Sequence, residues 1–277
     1  MSKTILTSKA NPVVQKFRLA ATRVRRASPE LVVAEGLRVL EEAVKARCPI
    51  EAVLVGDAFG SDARGLELLA RWSELNIPVR RASAAVLKTM SDVVSPQGAL
   101  ALVRVPIHTL SDLADEPNPL ILCLDGIQDP GNLGTLLRTA RAAGAWRVFS
   151  AAGSVSARNP KAIRASAGAF FHLPVVEGLR PGQILDYCRA RRIPMYKADV
   201  KAGASCWDAD LTGPAAIVLG NEARGLTEGD WDALAPIKIP MATGVESLNV
   251  AAAGAILLYE ALRQRLAAAL PCSREAK

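Results

Sequence analysis

Three junctions in the second half of the chain hold most of the residues that could take part in chemistry. Each lies where an apolar run typical of a buried strand gives way to a turn. They are LDGIQDPGNLGTLLRTARAAGA (124–145), IVLGNEARGLTEGD (217–230) and IKIPMATGVESLNVAAAGAILLYE (237–260). Ligands of a parallel α/β sheet bind beyond the carboxyl ends of its strands, so these junctions are the candidate functional loops.

The first junction offers an amide and a guanidinium at the start of a helix. Pro130 and Gly131 shape a tight turn, Asn132 lies at the mouth of the helix, and Arg138 follows on it. A helix N-terminus of this kind could hold a phosphate. The loop matches neither the GxGxxG dinucleotide motif nor the Gly-Lys-Ser/Thr of a P-loop. Two simpler interpretations stay open, with Asn132 as an N-cap and Arg138 as a surface arginine.

The other two junctions supply a carboxylate, a hydroxyl and a second amide. Glu222 follows a strand, where it could act in a site or simply favour a helix dipole as a first-turn acid. Ser247 and Asn249 precede a long helix, and either could cap it. The helix over 248–266 has small and aliphatic residues on nearly all sides. That pattern calls for burial on several faces, either by its own domain alone or by its domain together with a second subunit.

The elements that must position these loops follow from hydrophobic period and turn residues. Residues 1–105 alternate short strands with helices and predict a compact α/β domain. Within it, strands are expected at 31–35, 50–56, 77–80 and 99–105, and helices at 12–26, 36–47, 66–75 and 83–90. The proline- and acid-containing stretch 106–118 predicts a linker. Residues 119–270 alternate again and predict a parallel sheet, and 271–277 is expected to be a tail.

Composition excludes several classes of protein. Half of the residues are hydrophobic and 22% are charged, a balance that excludes general disorder. No uncharged run is long enough to span a membrane, and the first residues lack the apolar core of a secretory signal, so we expect a cytoplasmic protein. The five cysteines form no CxxC pair and only two histidines occur, so neither a disulfide framework nor a metal site is indicated.

The distribution of charged residues along the chain is more informative than the net charge. The chain has 34 basic and 27 acidic side chains, a net charge of +7. Residues 1–28 hold seven bases and no acid, and residues 138–201 hold twelve bases against three acids. Concentrated basic stretches favour a polyanion partner such as RNA, because phosphates release counterions to them. A solvated face with an unstructured arm is the simpler alternative.

Read together, the junctions resemble a known family. The order N-x-G-x₃-R-T-A, then L-G-N-E-x-x-G-L, then I-P-M-x₅-S-L-N-V-A is similar to the three motifs of the SpoU (TrmH-like) RNA ribose 2′-O-methyltransferases of the SPOUT superfamily. The likeness spans about 119–265 and keeps both order and spacing. The stretch NPKAIRASAGAFFHLPV (159–175) is similar to the segment between the first two motifs. Residues 4–105 resemble, less closely, the substrate-binding domain that often precedes a SpoU domain.

The resemblance implies a fold and an activity that periodicity does not. It implies a C-terminal parallel α/β domain with a deep trefoil knot, preceded by a small α/β domain like certain ribosomal proteins. It further implies an enzyme that binds S-adenosylmethionine, methylates a ribose 2′-hydroxyl of RNA and forms a homodimer through its last helix. The two-domain layout and basic start favour ribosomal RNA over tRNA. A catalytically inactive RNA-binding relative is the alternative, and a nicotinamide dehydrogenase is disfavoured by the missing glycine motif.

The resemblance also assigns roles to individual residues. Five fall on catalytic motif positions: Asn132, Arg138, Glu222, Ser247 and Asn249. Six fall on positions that hold the cofactor, largely through backbone: Leu219, Gly220, Asn221, Ile239, Met241 and Leu248. Family accounts make the first-motif arginine the base. Because an arginine keeps its proton, we favour Arg138 as a clamp on phosphate and hydroxyl, with the proton leaving to phosphate or water.

Overall fold

The computed structural model describes residues 4–22, 28–91, 98–222, 224–227 and 231–269. These residues form two compact units. One contains the chain up to Ile107 together with Ser156–His172, and the other contains His108–Val155 and the chain from Leu173 onward.

The helices and strands, in chain order, are β1 (Ile5–Leu6), α1 (Pro12–Thr22), β2 (Leu31–Glu35), α2 (Leu37–Lys45), β3 (Ile50–Val55), α3 (Ala63–Glu74), β4 (Val79–Ala82), α4 (Ala84–Leu87), β5 (Ala99–Arg104), β6 (Leu120–Leu124), α5 (Pro130–Ala142), β7 (Arg147–Ala151), α6 (Pro160–Ala165), β8 (Val175–Leu179), α7 (Pro181–Ala190), β9 (Met195–Ala198), β10 (Ala204–Ser205), β11 (Ala215–Leu219), β12 (Ala235–Lys238) and α8 (Val250–Ala269). Two short 3-10 turns lie at Leu110–Asp112 and Ala169–Phe171.

The first unit is built on a mixed five-stranded sheet in the order β1-β4-β3-β5-β2, in which β5 runs antiparallel to both of its neighbours. Helix α1 begins at Pro12 as expected, with Asn11 Oδ1 accepting the Val13 N–H at 2.9 Å. The buried Val14 and Phe17 of this helix join the core of the unit. The sequence predicted that α1 continues to residue 26, but residues 23–27 lie outside the described residues. Four of the seven basic residues of the N-terminal region also lie outside them.

An insertion from the second half of the chain completes the first unit. Residues 156–172 leave the second unit after Val155 and pack with the first. Buried Arg158 donates to the carbonyls of Val105 at 3.2 Å and Pro29 at 3.3 Å. Arg164 on α6 pairs with the buried Glu35 carboxylate at 2.8 Å. The units therefore differ from the continuous 119–270 domain expected from the sequence, because two arginines secure this segment to residues more than fifty positions away.

The second unit has a parallel seven-stranded sheet within the described residues, in the order β10-β12-β9-β11-β6-β7-β8. Strands β6 and β11 are central and wholly buried, which accounts for their continuous apolar sequences. Helix α7 covers one face with Ile184 and Cys188. Helix α8 packs against α5 and β11. The expectation of an α/β fold with a parallel sheet is confirmed.

Most expected elements are present with shifted ends. The strand expected near 171–176 lies instead at Val175–Leu179, because Ala169–Phe171 turns as 3-10 first. The two-residue strands β1 and β10 were not expected. The predicted linker 106–118 contains the turn Leu110–Asp112, and Leu113 joins the core of the second unit. Among the described helices, none combines the length and apolar character that crossing a membrane requires.

Gly254 sets how closely α8 approaches its neighbours. A Cβ at this position would lie 2.4 Å from Leu136 Cδ2 on α5 and 2.8 Å from Leu219 Cδ1 on β11. Both leucines are fully buried, so neither can move aside freely.

We expect Gly254→Val to lower the free energy of unfolding by about 1–3 kcal/mol, the usual cost of overpacking a core. Gly182→Val in α7 is the matched control, because a Cβ there meets no atom within 4 Å. Urea unfolding of the two variants measures the difference. Equal stabilities would contradict this account of the α5–α8 contact.

Candidate functional site

The three candidate loops meet at the carboxyl edge of the second unit's sheet. Leu124 pairs with Leu219 at the ends of β6 and β11, so the first two loops leave the sheet side by side. The Asp125 N–H donates to Leu219 O at 2.9 Å, which prolongs this pairing by one residue. The third loop follows β12 and leads into α8, which returns along α5 and β11.

The first loop leaves the Asn132 side chain available. Asp129 is the N-cap of α5, since its Oδ1 accepts the Asn132 N–H at 2.8 Å, and Pro130 takes the first helical position. Asn132 is therefore not the cap that one interpretation of the sequence allowed, and its amide is directed to other loops.

A chain of side-chain hydrogen bonds links all three loops at Asn132. Its Nδ2 donates to Glu222 Oε1 at 2.9 Å, and its Oδ1 accepts from Asn249 Nδ2 at 3.1 Å. Asn249 Oδ1 in turn accepts the Ala251 N–H at 2.9 Å, so Asn249 rather than Ser247 caps α8. Since a backbone N–H can only donate and a carboxylate can only accept, the orientation of both amides is fixed.

The second loop folds tightly on itself. A Cβ at Gly220 would lie 2.4 Å from the carbonyl carbon of Gly225, so only glycine fits there. Asn221 and Gly225 exchange two backbone hydrogen bonds of 2.8 and 2.9 Å. The Asn221 side chain donates to Gly126 O at 2.7 Å and accepts from the Arg224 N–H at 3.0 Å. Asn221 thus ties the second loop to the first.

Asp125 is a residue of the site that the sequence interpretation missed. It is almost fully buried at the end of β6, and its Oδ2 accepts both the Thr227 N–H at 2.7 Å and the Trp231 Nε1–H at 2.9 Å. Its carboxylate holds the far end of the second loop, while Asn221 holds the near end. An acidic residue directly after an unbroken apolar strand was the available signal.

A cavity of about 430 Å³ opens beside the second loop, within the size range of small-ligand sites. All six residues that the resemblance assigned to the cofactor line it, as do Glu222 and Ser247. The apolar side chains of Leu219, Ile239 and Met241 offer a surface for a flat base. The carboxylates of Asp199 and Glu222 suit hydroxyl and ammonium groups. This mixture fits S-adenosylmethionine, which carries an adenosine and an amino acid.

Asn132, Asn249 and Arg138 are not among the residues that line this cavity. The first two reach it through Glu222. Arg138 is exposed on α5, about 9 Å further along the helix axis than Asn132. Within the described part of the chain, no hydrogen bond connects Arg138 to the other catalytic-motif residues.

The described residues contain no cluster of His, Cys, Asp and Glu side chains suited to a metal ion. The described cysteines have free thiols. Burial raises the pKa of Cys188 to about 12 and that of Cys123 well above its usual value. These two thiols are therefore poor nucleophiles, and neither lines the cavity.

Asp125→Ala should lower the free energy of unfolding by about 1–3 kcal/mol for each donor left without a partner. It should also weaken cofactor binding, because the second loop loses the carboxylate that holds its far end. Asp186→Ala, at an exposed carboxylate on α7, is the control and should change stability by no more than about 0.5 kcal/mol. Thermal unfolding and calorimetric titration with S-adenosylmethionine measure both effects. Wild-type behaviour of Asp125→Ala would contradict the role of this carboxylate.

Comparison with known proteins agrees with this geometry. The SpoU rRNA methylase family matches residues 119–259, and the family described as RNA 2′-O ribose methyltransferase substrate binding matches residues 33–107.

Two relatives and one solved structure illustrate the similarity. The 23S rRNA (uridine(2479)-2′-O)-methyltransferase of Streptomyces viridochromogenes is 30% identical, over 94% of this chain and 92% of the relative. The 23S rRNA (guanosine-2′-O-)-methyltransferase RlmB of Xylella fastidiosa is 36% identical, over 76% of this chain and 87% of the relative. The structure of the SpoU methyltransferase AviRb from S. viridochromogenes with AdoMet superimposes with a TM-score of 0.81 at 29% identity, over 93% of this chain and all of that one. With its three motifs gathered at one edge of the sheet, the chain belongs to the SpoU rRNA methylase family.

Proposed function

We propose that the protein transfers a methyl group from S-adenosylmethionine to a ribose 2′-hydroxyl of RNA, with ribosomal RNA as the substrate. The observation that carries this is the Glu222–Asn132–Asn249 hydrogen-bond chain beside a cavity lined by the six expected cofactor residues. Relatives that act on 23S rRNA, one solved structure with AdoMet and the matched substrate-binding family support the assignment.

In this reaction the protein has mainly to align the ribose hydroxyl with the methyl group, because the methyl group is already activated. When bound, the cofactor supplies a methyl group already activated by its sulfonium. A ribose hydroxyl is a weak nucleophile, so the side chains must hold its oxygen in line with that methyl and let its proton leave. Glu222 lines the cavity and is fixed by Asn132, so it can orient a hydroxyl at the cavity's edge.

Arg138 is assigned to the RNA rather than to the cofactor. It is exposed, and it does not line the cavity. A guanidinium can grip a phosphate through two parallel hydrogen bonds. We assign it as the clamp that positions the ribose through the neighbouring phosphate, with the hydroxyl proton passing to phosphate or water.

The first unit is proposed to bind RNA, as a small domain like certain ribosomal proteins. The basic side chains of the N-terminal region, among them Lys9 and Arg18, would contact the phosphate backbone of the RNA. A cytoplasmic location stays a prediction.

A deep trefoil knot is proposed for the second unit. Its support is the path of the chain. After β11 at the centre of the sheet, the chain forms β12 on the far side of β9 and then returns to α5 and β11 as α8.

Arg138→Ala should abolish methyl transfer to RNA while leaving the fold and S-adenosylmethionine binding intact. Arg138→Lys should also fail, because lysine lacks the planar fork of the guanidinium. Arg189→Ala, at another exposed arginine, is the control and should remain active. A tritiated-methyl assay on transcribed rRNA measures transfer. Near-normal turnover by the lysine variant would refute the clamp, and cofactor binding without transfer by the wild type would favour the inactive alternative.

We also infer a homodimer held by α8. This helix keeps Tyr259 half exposed, and Ala255 and Ile256 are only partly covered by their own subunit. An interface of about 800 Å² per partner would cover these side chains.

Ala255→Glu would place like charges near the two-fold axis of such an interface and should yield monomers with reduced activity. Ala190→Glu, on the exposed end of α7, should leave the assembly unchanged. Sedimentation at micromolar concentration measures the mass of each. A fully active wild-type monomer would overturn the inference.

A further inference from the structure

The second loop separates two cavities. The cavity of about 430 Å³ described above, called the cofactor cavity from here on, lies on one side of this loop. On the other side lies a second cleft of about 1090 Å³, bounded by the loops that follow β6, β7 and β11. Its walls include Gln128, Ala152, Gly153 and Arg224. Nothing in the proposed cofactor site uses these four residues.

Glu222 belongs to both cavities. Together with Asn221, Gly225 and Leu226 it lines the cofactor cavity and the second cleft alike. The wall between the two is therefore a single loop, the one that Asp125 and Asn221 hold in place. Two molecules bound on its opposite sides would meet over the Glu222 carboxylate.

The lining of the second cleft suits a nucleotide. The Gln128 side chain donates from its amide nitrogen to the carbonyls of Gly126 and Gly153. Among the described residues no hydrogen bond engages its amide oxygen, which can accept an N–H of a base. Arg224 is exposed at the cleft and carries the positive charge that a phosphate requires. The cleft is more than twice as large as the cofactor cavity, so it can hold a nucleotide with its flanking phosphate.

We propose that the second cleft receives the RNA nucleotide whose ribose is methylated, so that the acceptor hydroxyl and the cofactor methyl meet directly where the two cavities adjoin, beside the Glu222 carboxylate. This inference rests on the proposed methyl transfer to RNA. It adds the direction from which the substrate enters, which is the β7 side of the second loop rather than the β9 side.

Ala152 allows the cleft to be blocked without touching the cofactor cavity. It is exposed and lines only the second cleft of the two, and the hydrogen bond from its backbone to Leu179 O, 2.7 Å long, does not involve its side chain. Ala152→Trp should raise the KM for transcribed 23S rRNA and lower kcat/KM at least tenfold. The Kd for S-adenosylmethionine should stay within twofold of wild type. Ala190→Trp, which lies in neither cavity, should match wild type in both measurements.

A charge reversal provides a second test that does not depend on how the tryptophan packs. The backbone N–H of Arg224 donates to Asn221 Oδ1 within the loop, and Arg224→Glu keeps that bond. It should also raise the KM for rRNA at least tenfold while S-adenosylmethionine binding is retained. Wild-type KM values for both variants would overturn the proposal and place RNA entry on the β9 side. A wild-type protein that binds S-adenosylmethionine but methylates no RNA would instead refute the proposed function.

Discussion

The side-chain amide of Asn132 joins its own loop to two others that begin far along the chain, at residues 90 and 117 positions away. Its nitrogen donates to Glu222 and its oxygen accepts from Asn249, whose own oxygen is engaged by the first turn of α8. An aspartate would remove the donor that Glu222 needs and place two carboxylates side by side. The amide is thus required at this position by the groups around it, and the carboxylate is positioned before any ligand binds.

Close backbone approach makes this arrangement possible. The second loop turns back so sharply that Gly220 meets the carbonyl of Gly225, and α8 approaches β11 so closely that Gly254 meets Leu219. Buried Asp125 and the amide of Asn221 then secure the two ends of the loop. The loop, held at both ends, forms a wall shared by two cavities, and a reaction that depends on the alignment of bound groups requires such fixed side chains.

A segment of the first unit, residues 156–172, continues directly from the loop after β7 in the second unit. Residues 156–172 lie between β7 and β8 in sequence but are built into the first unit by Arg158 and Arg164. The polypeptide therefore passes between the units at three places rather than at one linker. The loop after β7, which leads into this segment, is also a wall of the second cleft.

The sequence by itself determined the α/β class, the parallel sheet and the positions of the functional loops. Unbroken apolar strands such as 120–124 and 215–219 can only be buried on both faces, and the polar residues that follow them stand out for that reason. The resemblance carried by the motifs assigned six residues to the cofactor, and all six line the cavity of about 430 Å³. Tertiary structure decided which side chain meets which. That Asp125 holds the second loop and that 156–172 joins the first unit both depend on contacts between residues distant in sequence. Local sequence preferences do not specify such long-range contacts, because these hydrogen bonds can form only after the sheet has brought the strand ends together.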